Sequence, residues 1–221
     1  MTNERTRLWS LALAIGLLAA VVVFIGTRSG VGTLNDSAYY FSAAESLASG
    51  QGLRVEITSL DLPTWTDAFA AWPPLYPTLL SIGALMGLSV EVSARLWGLL
   101  AVLGLAIALF WLAHLLSAQW RVAVIATALA ITVRPVWQIL HYGLSESLFM
   151  ALVCATLAIL STILITDSVG AGKQRVASVV SIGVSLTMLT RYLGGHSLLR
   201  DCCCFCGDRS NKGKSVSGGQ Q

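Results

Sequence analysis

Long apolar blocks separated by short polar stretches dominate this chain. Leu8 to Thr27 contains no charged residue. A hydrocarbon core about 30 Å thick needs about 20 helical residues at 1.5 Å each, so this block is long enough to span a bilayer. Leu96–Ala118 and Ser147–Thr166 are further full-length blocks. Tyr76–Val90 is short, and its pattern allows either a crossing or a re-entrant dip. Val122–Val133 is short as well but continues through Arg134 and Pro135 to Tyr142, and Val176–Thr190 is of borderline length. The expected fold is an all-α polytopic transmembrane helix bundle.

Residues 28–74 interrupt this pattern and form the expected external loop. Asn35 and Asp36 are candidate caps for a helix running to Ser49. Tyr39, Ala43 and Leu47, with Tyr40 and Ala44 beside them, make one apolar stripe at helical spacing. Ser42, Glu45, Ser46 and Ser49 fall between, and Gly50 and Gly52 stop the helix. Such an amphipathic helix is expected to lie on the membrane surface.

Composition agrees with a bilayer as solvent. Of the 221 residues, 55% are hydrophobic and 11% charged, and the mean hydropathy is +0.73. Soluble domains carry about 25% charged residues. The net charge of +3 is small and its basic residues are scattered, which excludes a nucleic-acid-binding footprint. A cleaved leader is disfavoured, because Ile25-Gly26-Thr27 is a poor cleavage site and the apolar run is long. Arg5 and Arg7 place the N-terminus in the cytoplasm.

Charge also bears on topology. If 76–90 crosses, Glu146 falls inside and Lys173 and Arg175 outside. If it dips and returns, Arg121, Lys173 and Arg175 join Arg5 and Arg7 inside, while Glu146 and Arg191 join Asp36 outside. The positive-inside bias favours the second arrangement by about one charge.

Ionisable residues at membrane edges are costly unless they have a partner or a function. Here they are Asp36, Arg95, Arg134, Glu146 and Arg191. Asp36 and Glu146 suit helix capping, and Arg95 and Arg191 suit interfacial snorkelling. The second topology places these four on one face. Two carboxylates and two guanidiniums there suit a substrate bearing a phosphate and a hydroxyl. The string Trp72-Pro73-Pro74-Leu75-Tyr76-Pro77 is rigid and initially non-helical. His114 and Cys154 lie in apolar surroundings and read as packing residues. Gly170-Ala171-Gly172-Lys173-Gln174 lacks the first glycine and the final hydroxyl residue of a phosphate loop. Cys203 and Cys206 have no second pair with which to build a zinc site.

In order and spacing these strings resemble the GT-C superfamily of membrane glycosyltransferases. The branches in view are the protein O-mannosyltransferases and the aminoarabinose and RgtA/B/C/D-like transferases. The resemblance rests on the N-terminal anchor, Asn35-Asp36-Ser37-Ala38-Tyr39-Tyr40, Gly50-Gln51-Gly52-Leu53 and the Trp72–Pro77 string. It continues through Ala94-Arg95-Leu96-Trp97, Leu144-Ser145-Glu146-Ser147-Leu148 and Leu189-Thr190-Arg191-Tyr192, covering about residues 8–194. It implies a polyprenyl-phosphate sugar donor, a glycan, lipid or protein acceptor on the outer face of the cell membrane, and transfer with inversion. By that resemblance Asp36 and Glu146 are the acidic catalytic positions and the candidate ligands of a divalent metal ion. Arg95 and Arg191, with Tyr39, Tyr40, Pro74 and Tyr76, are candidate lipid-phosphate or substrate contacts.

Members of that superfamily generally have ten or more spans, whereas about six segments are legible here. Residues 195–221 turn abruptly to Cys, Ser, Gly and Lys, a composition that suggests a frame change. The chain as written is therefore expected to be inactive. A transporter, a scaffold subunit or a non-functional fragment is the rival class, although neither an internal repeat nor mid-span charges support transport. Sequencing the coding locus across Tyr192 is expected to reveal long apolar segments in another frame. An in-frame tail in independent isolates would remove the frame-change reading.

Overall fold

The computed structural model describes residues 2–58, 63–67, 73–166 and 172–190. Trp72, Arg191, the cysteine-rich run and the whole 195–221 tail lie outside the described residues.

Eight helices and one two-stranded ribbon follow in order among the described residues: α1 (Thr2–Gly26), α2 (Asn35–Ala48), β1 (Arg54–Thr58), β2 (Pro63–Asp67), α3 (Leu75–Leu85), α4 (Val90–Ser117), α5 (Trp120–Thr132), α6 (Arg134–His141), α7 (Ser145–Thr166) and α8 (Gly172–Thr190). The architecture is an all-α bundle. Three helices are long and apolar enough to cross a membrane, within Glu4–Gly26, Val90–Ser117 and Ser145–Ile165. The bent pair α5–α6 makes a fourth if it acts as one broken span.

α4 is the central helix. It packs against α1, α5 and α7, and α8 packs on α7. The largest core cluster is built from Val23 of α1, Ala101, Val102, Leu105 and Ala106 of α4, Ile131, Leu140 and Ala151. Its alanines let helix backbones approach closely, the usual contact where lipid supplies no hydrophobic drive between helices. Outer faces stay apolar and exposed, as at Leu18, Ile25, Leu100, Ile125 and Leu164.

Two contacts fix how α1 and α4 run. At one end Trp9 meets Trp111, with ring centroids 4.7 Å apart. At the other, Arg95 in the second turn of α4 bonds to the last turn of α1. The two helices are therefore antiparallel, and the chain leaves and re-enters the bundle at the same end. Everything between them, from α2 to α3, belongs to that end. At 11 residues, α3 is also too short to span.

The break between α3 and α4 does not fall where the apolar blocks suggested. The chain turns at Gly87, whose φ of +84° suits a residue without Cβ. Gly87 N–H donates to Ala84 O and Leu88 N–H to Gly83 O, closing the end of α3. Ser89 then caps α4, its hydroxyl accepting from Val92 N–H at 3.3 Å. As a result Val90–Arg95 is helical, and Arg95 lies within α4 rather than ahead of a span.

Three further expectations are corrected. The 122–142 segment is two helices bent by 66°, because Pro135 in the first turn of α6 denies an upstream carbonyl its donor. Residues 28–74 contain an antiparallel ribbon in which Arg54 pairs with Asp67 and Thr58 with Pro63. Its β-branched and aromatic residues suit strands, and Pro63 is tolerated as the first residue of an edge strand. α2 does not lie bare on a membrane surface. Tyr40 and Ala44 pack with Tyr76, Leu80, Val90 and Ala94, and Ala43 packs with Val55, so protein covers its apolar face.

The antiparallel pairing has a direct test. In a background with native cysteines replaced by serine, cysteines placed at the exposed positions Ser29 and Glu91 should react with a membrane-impermeant thiol reagent from the same side. Labelling of the two from opposite sides would overturn the arrangement.

Candidate functional site

The site is built where α2, α3 and the start of α7 meet. α2 begins differently from the expected cap. Leu34 is the N-cap, in extended conformation, and its N–H donates to Ser37 Oγ at 3.2 Å. Asn35 and Asp36 are thus the first two helical residues. Asp36 is exposed in the first turn, where the helix dipole favours negative charge.

One turn further on the same face, Tyr40 is buried. Its hydroxyl shares a 3.0 Å hydrogen bond with Ser145 Oγ, 105 residues away in sequence. The edge of one ring meets the face of the other between Tyr40 and Tyr76, with centroids 5.2 Å apart and planes at 86°. Burial pushes the pKa of the Tyr76 hydroxyl up, and Tyr40 and Glu146 push it the same way. Tyr76 is therefore a neutral hydroxyl at physiological pH, not a base.

Glu146 follows Ser145 in the first turn of α7 and is half-buried. The turn ahead of it is held by a small backbone bridge. Gly32 N–H donates to His141 O, and Gly143 N–H donates to Gly32 O, both at 2.9 Å. A Cβ at Gly143 would come within 2.7 Å of the Phe41 ring. That glycine lets α2 approach the start of α7.

Pro74 caps α3, and its carbonyl accepts from both the N–H and the hydroxyl of Thr78, at 3.1 and 2.7 Å. Pro77 falls in the first turn, where a missing N–H costs no hydrogen bond. Tyr39 sits on the neighbouring flank of α2, packed with Leu53 against Ala43 and Val55.

Arg95 has a structural task. Its Nε donates to Thr27 Oγ1 at 3.2 Å and its Nη2 to Phe24 O at 2.8 Å, while Cζ lies 4.1 Å from the Phe24 ring centroid. It closes the C-terminal end of α1, where a cation is favoured. Two of its five N–H donors are used in this way. α8 touches α3 and ends at the buried Thr190, and Arg191 lies outside the described residues.

The fold thus brings Asp36, Tyr40, Tyr76, Glu146 and Arg95 to one end of the bundle, with Pro74 and Tyr39 flanking them. Among the described residues no group of three or more His, Cys, Asp or Glu is placed to hold a metal. These side chains do not by themselves form a divalent-ion site, and no step below is routed through one. Tyr40 and Ser145 bond to each other and Tyr76 is buried beside them, so these three shape the site from beneath. An exposed carboxylate such as Asp36 can accept a proton.

No protein-family model, curated protein or solved structure matches this chain. What the site can do therefore rests on its own residues. Ser145 had been visible only as a neighbour of Glu146, and Thr27 only as the last residue of an apolar run. Neither carries a sequence signal for its partner, because both pairings span more than 60 positions.

The Tyr40–Ser145 bond is expected to be worth about 0.5–1.5 kcal/mol. Tyr40→Phe, Ser145→Ala and the double variant, compared by thermal unfolding in detergent, should show coupling of that order. Strict additivity would mean that the bond does not hold α2 to α7.

Proposed function

We propose that the chain is a membrane glycosyltransferase of the GT-C kind, or the part of one that carries the acceptor-activating site. Its α2-bearing end would face outward and its N-terminus the cytoplasm of the cell membrane. The observation that carries this reading is the Tyr40–Ser145 bond. It joins the first-loop helix to the start of α7, so Asp36, one turn before Tyr40, and Glu146, next to Ser145, share one end of the bundle. The orientation is that of the positive-inside reading of the sequence, in which Arg5, Arg7 and Arg121 lie in the cytoplasm.

In this mechanism the donor is a polyprenyl-phosphate sugar, and the acceptor is a hydroxyl of a glycan, lipid or protein. The acceptor oxygen bonds to the anomeric carbon from the face opposite the phosphate. The bond from that carbon to the phosphate oxygen breaks, and the lipid phosphate leaves with the electron pair. The acceptor proton passes to Asp36. Glu146 orients the sugar, and the buried Tyr40 and Tyr76 position Glu146 and Asp36. Arg191 would compensate the charge gained by the leaving phosphate. Arg95 is a positioning residue that holds α1 to α4.

Membranes carrying the protein of the frame-restored gene would be supplied with a radiolabelled polyprenyl-phosphate hexose, and label appearing in lipid, glycan and protein fractions would be counted. Asp36→Asn is expected to reduce transfer by about 10²–10⁴-fold, the usual cost of losing a general base, with membrane insertion unchanged. Near-normal transfer in Asp36→Asn would remove Asp36 from the mechanism. Label never leaving the donor lipid, in membranes where the wild-type protein is inserted, would favour the non-catalytic class, such as a transporter or scaffold subunit.

A further inference from the structure

The two short connectors that lead into α2 and α7 are tied to each other before either helix begins. Gly32 N–H donates to His141 O and Gly143 N–H donates to Gly32 O, both at 2.9 Å, so Gly32 and Tyr142 form a parallel bridge. In a parallel pair both chains run the same way, so residues equally far past the pair start out level. Here the spacing is the same on both sides. α2 begins three residues after Gly32, at Asn35, and α7 begins three residues after Tyr142, at Ser145. Asp36 and Glu146 each follow one residue later, in the first turn of their helices.

Side chains hold the bridge from both sides. The Tyr142 ring lies over Gly32, where a Cβ would come within 2.7 Å of its Cδ1 and Cε1. The His141 ring lies over Gly26, the last residue of α1, where a Cβ would collide with Nε2. His141 Nδ1–H donates to Trp137 O at 2.7 Å, which fixes that ring on α6. Before the bridge Arg95 holds Phe24 O and Thr27, and after it the Tyr40 hydroxyl meets Ser145. Tyr40 lies one turn beyond Asp36, and helical side chains lean toward the N-terminus of their own helix. Its contact with the first residue of α7 is therefore a second, independent sign that the two helices start level.

A transfer in which Asp36 takes a proton and Glu146 orients the sugar needs the two carboxylates at one fixed separation. We propose that the Gly32–Tyr142 bridge is the clamp that sets this separation, with Gly32 and Tyr142 as positioning residues. The role given to the carboxylates rests on the transfer reading, whereas the clamp rests on the backbone bonds.

Geometry is tested first, with no need for activity. In the whole chain with native cysteines replaced by serine, cysteines at positions 36 and 146 are joined in membranes by bis-methanethiosulfonates of graded spacer length. A short spacer should cross-link this pair in the parent background. Gly32→Val drives a side chain into the Tyr142 ring and should shift the best-yielding spacer. Adding Tyr142→Ala removes the ring, leaves the backbone bonds and should restore the parent spacer. Thermal melts check the fold, and if Gly32→Val does not fold, Gly32→Ala decides. No cross-link in the parent, an unshifted spacer in Gly32→Val, or no recovery in Gly32→Val/Tyr142→Ala would overturn the clamp. Transfer is tested second, on the frame-restored protein with both carboxylates present. There Gly32→Val should lower kcat by about 10²-fold, the cost of misplacing a reacting group by about 1 Å, with KM for the donor little changed. Gly32→Val/Tyr142→Ala should recover kcat. A spacer that shifts and recovers, in a protein that transfers no sugar, would keep the clamp and remove the transfer reading.

Discussion

The Arg95 guanidinium, bonded to Phe24 O and Thr27 Oγ1 at the end of α1, is the contact on which the rest of the fold depends. A helix that ends near hydrocarbon leaves its final carbonyls without donors, and each such group is expensive to bury. A guanidinium close to the apolar surface is expensive too. Pairing the two removes both costs at once. Hydrogen bonds from charged donors contribute about 1.5–3 kcal/mol each. Thr27 completes the arrangement by donating to Val23 O at 2.8 Å while accepting from Arg95. With the end of α1 joined to the start of α4, the two helices must run antiparallel. The whole intervening segment is then held at one end, where α2 and α3 pack on each other and on α4, the ribbon, the start of α7 and α8.

That confinement produces the candidate site. α2 brings a buried face to a place already occupied by α3 and the start of α7. A phenol and a serine hydroxyl buried there must find partners, and Tyr40 and Ser145 find each other. The same contact sets Asp36 outward and Glu146 inward, so two carboxylates of like charge meet different environments. Tyr76, pressed between Tyr40 and α4, closes the cluster from below. Toward the opposite end α1, α4 and α7 line a groove over Gly104, Ala108, Ala155 and Ala158, with Trp9 and Trp111 beside it.

Much of the helical scaffold is legible in the chain. α1 and α7 follow from unbroken apolar blocks of the right length, because a membrane helix satisfies its own backbone and needs only lipid-compatible side chains. Gly50, with φ +80°, stops α2 where the glycines indicated. Local signals failed where two solutions were locally equivalent. Asn35 and Asp36 are both good caps, yet Leu34 takes the position because Ser37 reaches back to its N–H. The blocks at 76–90 and 96–118 put the break at 91–95, whereas a glycine turn at Gly87 and a serine cap at Ser89 make it earlier. The ribbon at Arg54–Thr58 and Pro63–Asp67 was hidden inside a stretch that reads only as polar.

What the chain determines by itself is which segments are helical, which are apolar enough to meet lipid, and which ionisable residues are anomalous there. These properties depend on neighbours within a few positions, where periodicity, propensity and transfer energy are additive. Tertiary structure alone decided that Arg95 serves α1 and that Tyr40 faces Ser145. Those outcomes depend on pairings across 68 and 105 positions. The physical reason is that a polar group buried among helices takes the nearest available partner in space, and distance along the chain carries no information about which partner that is.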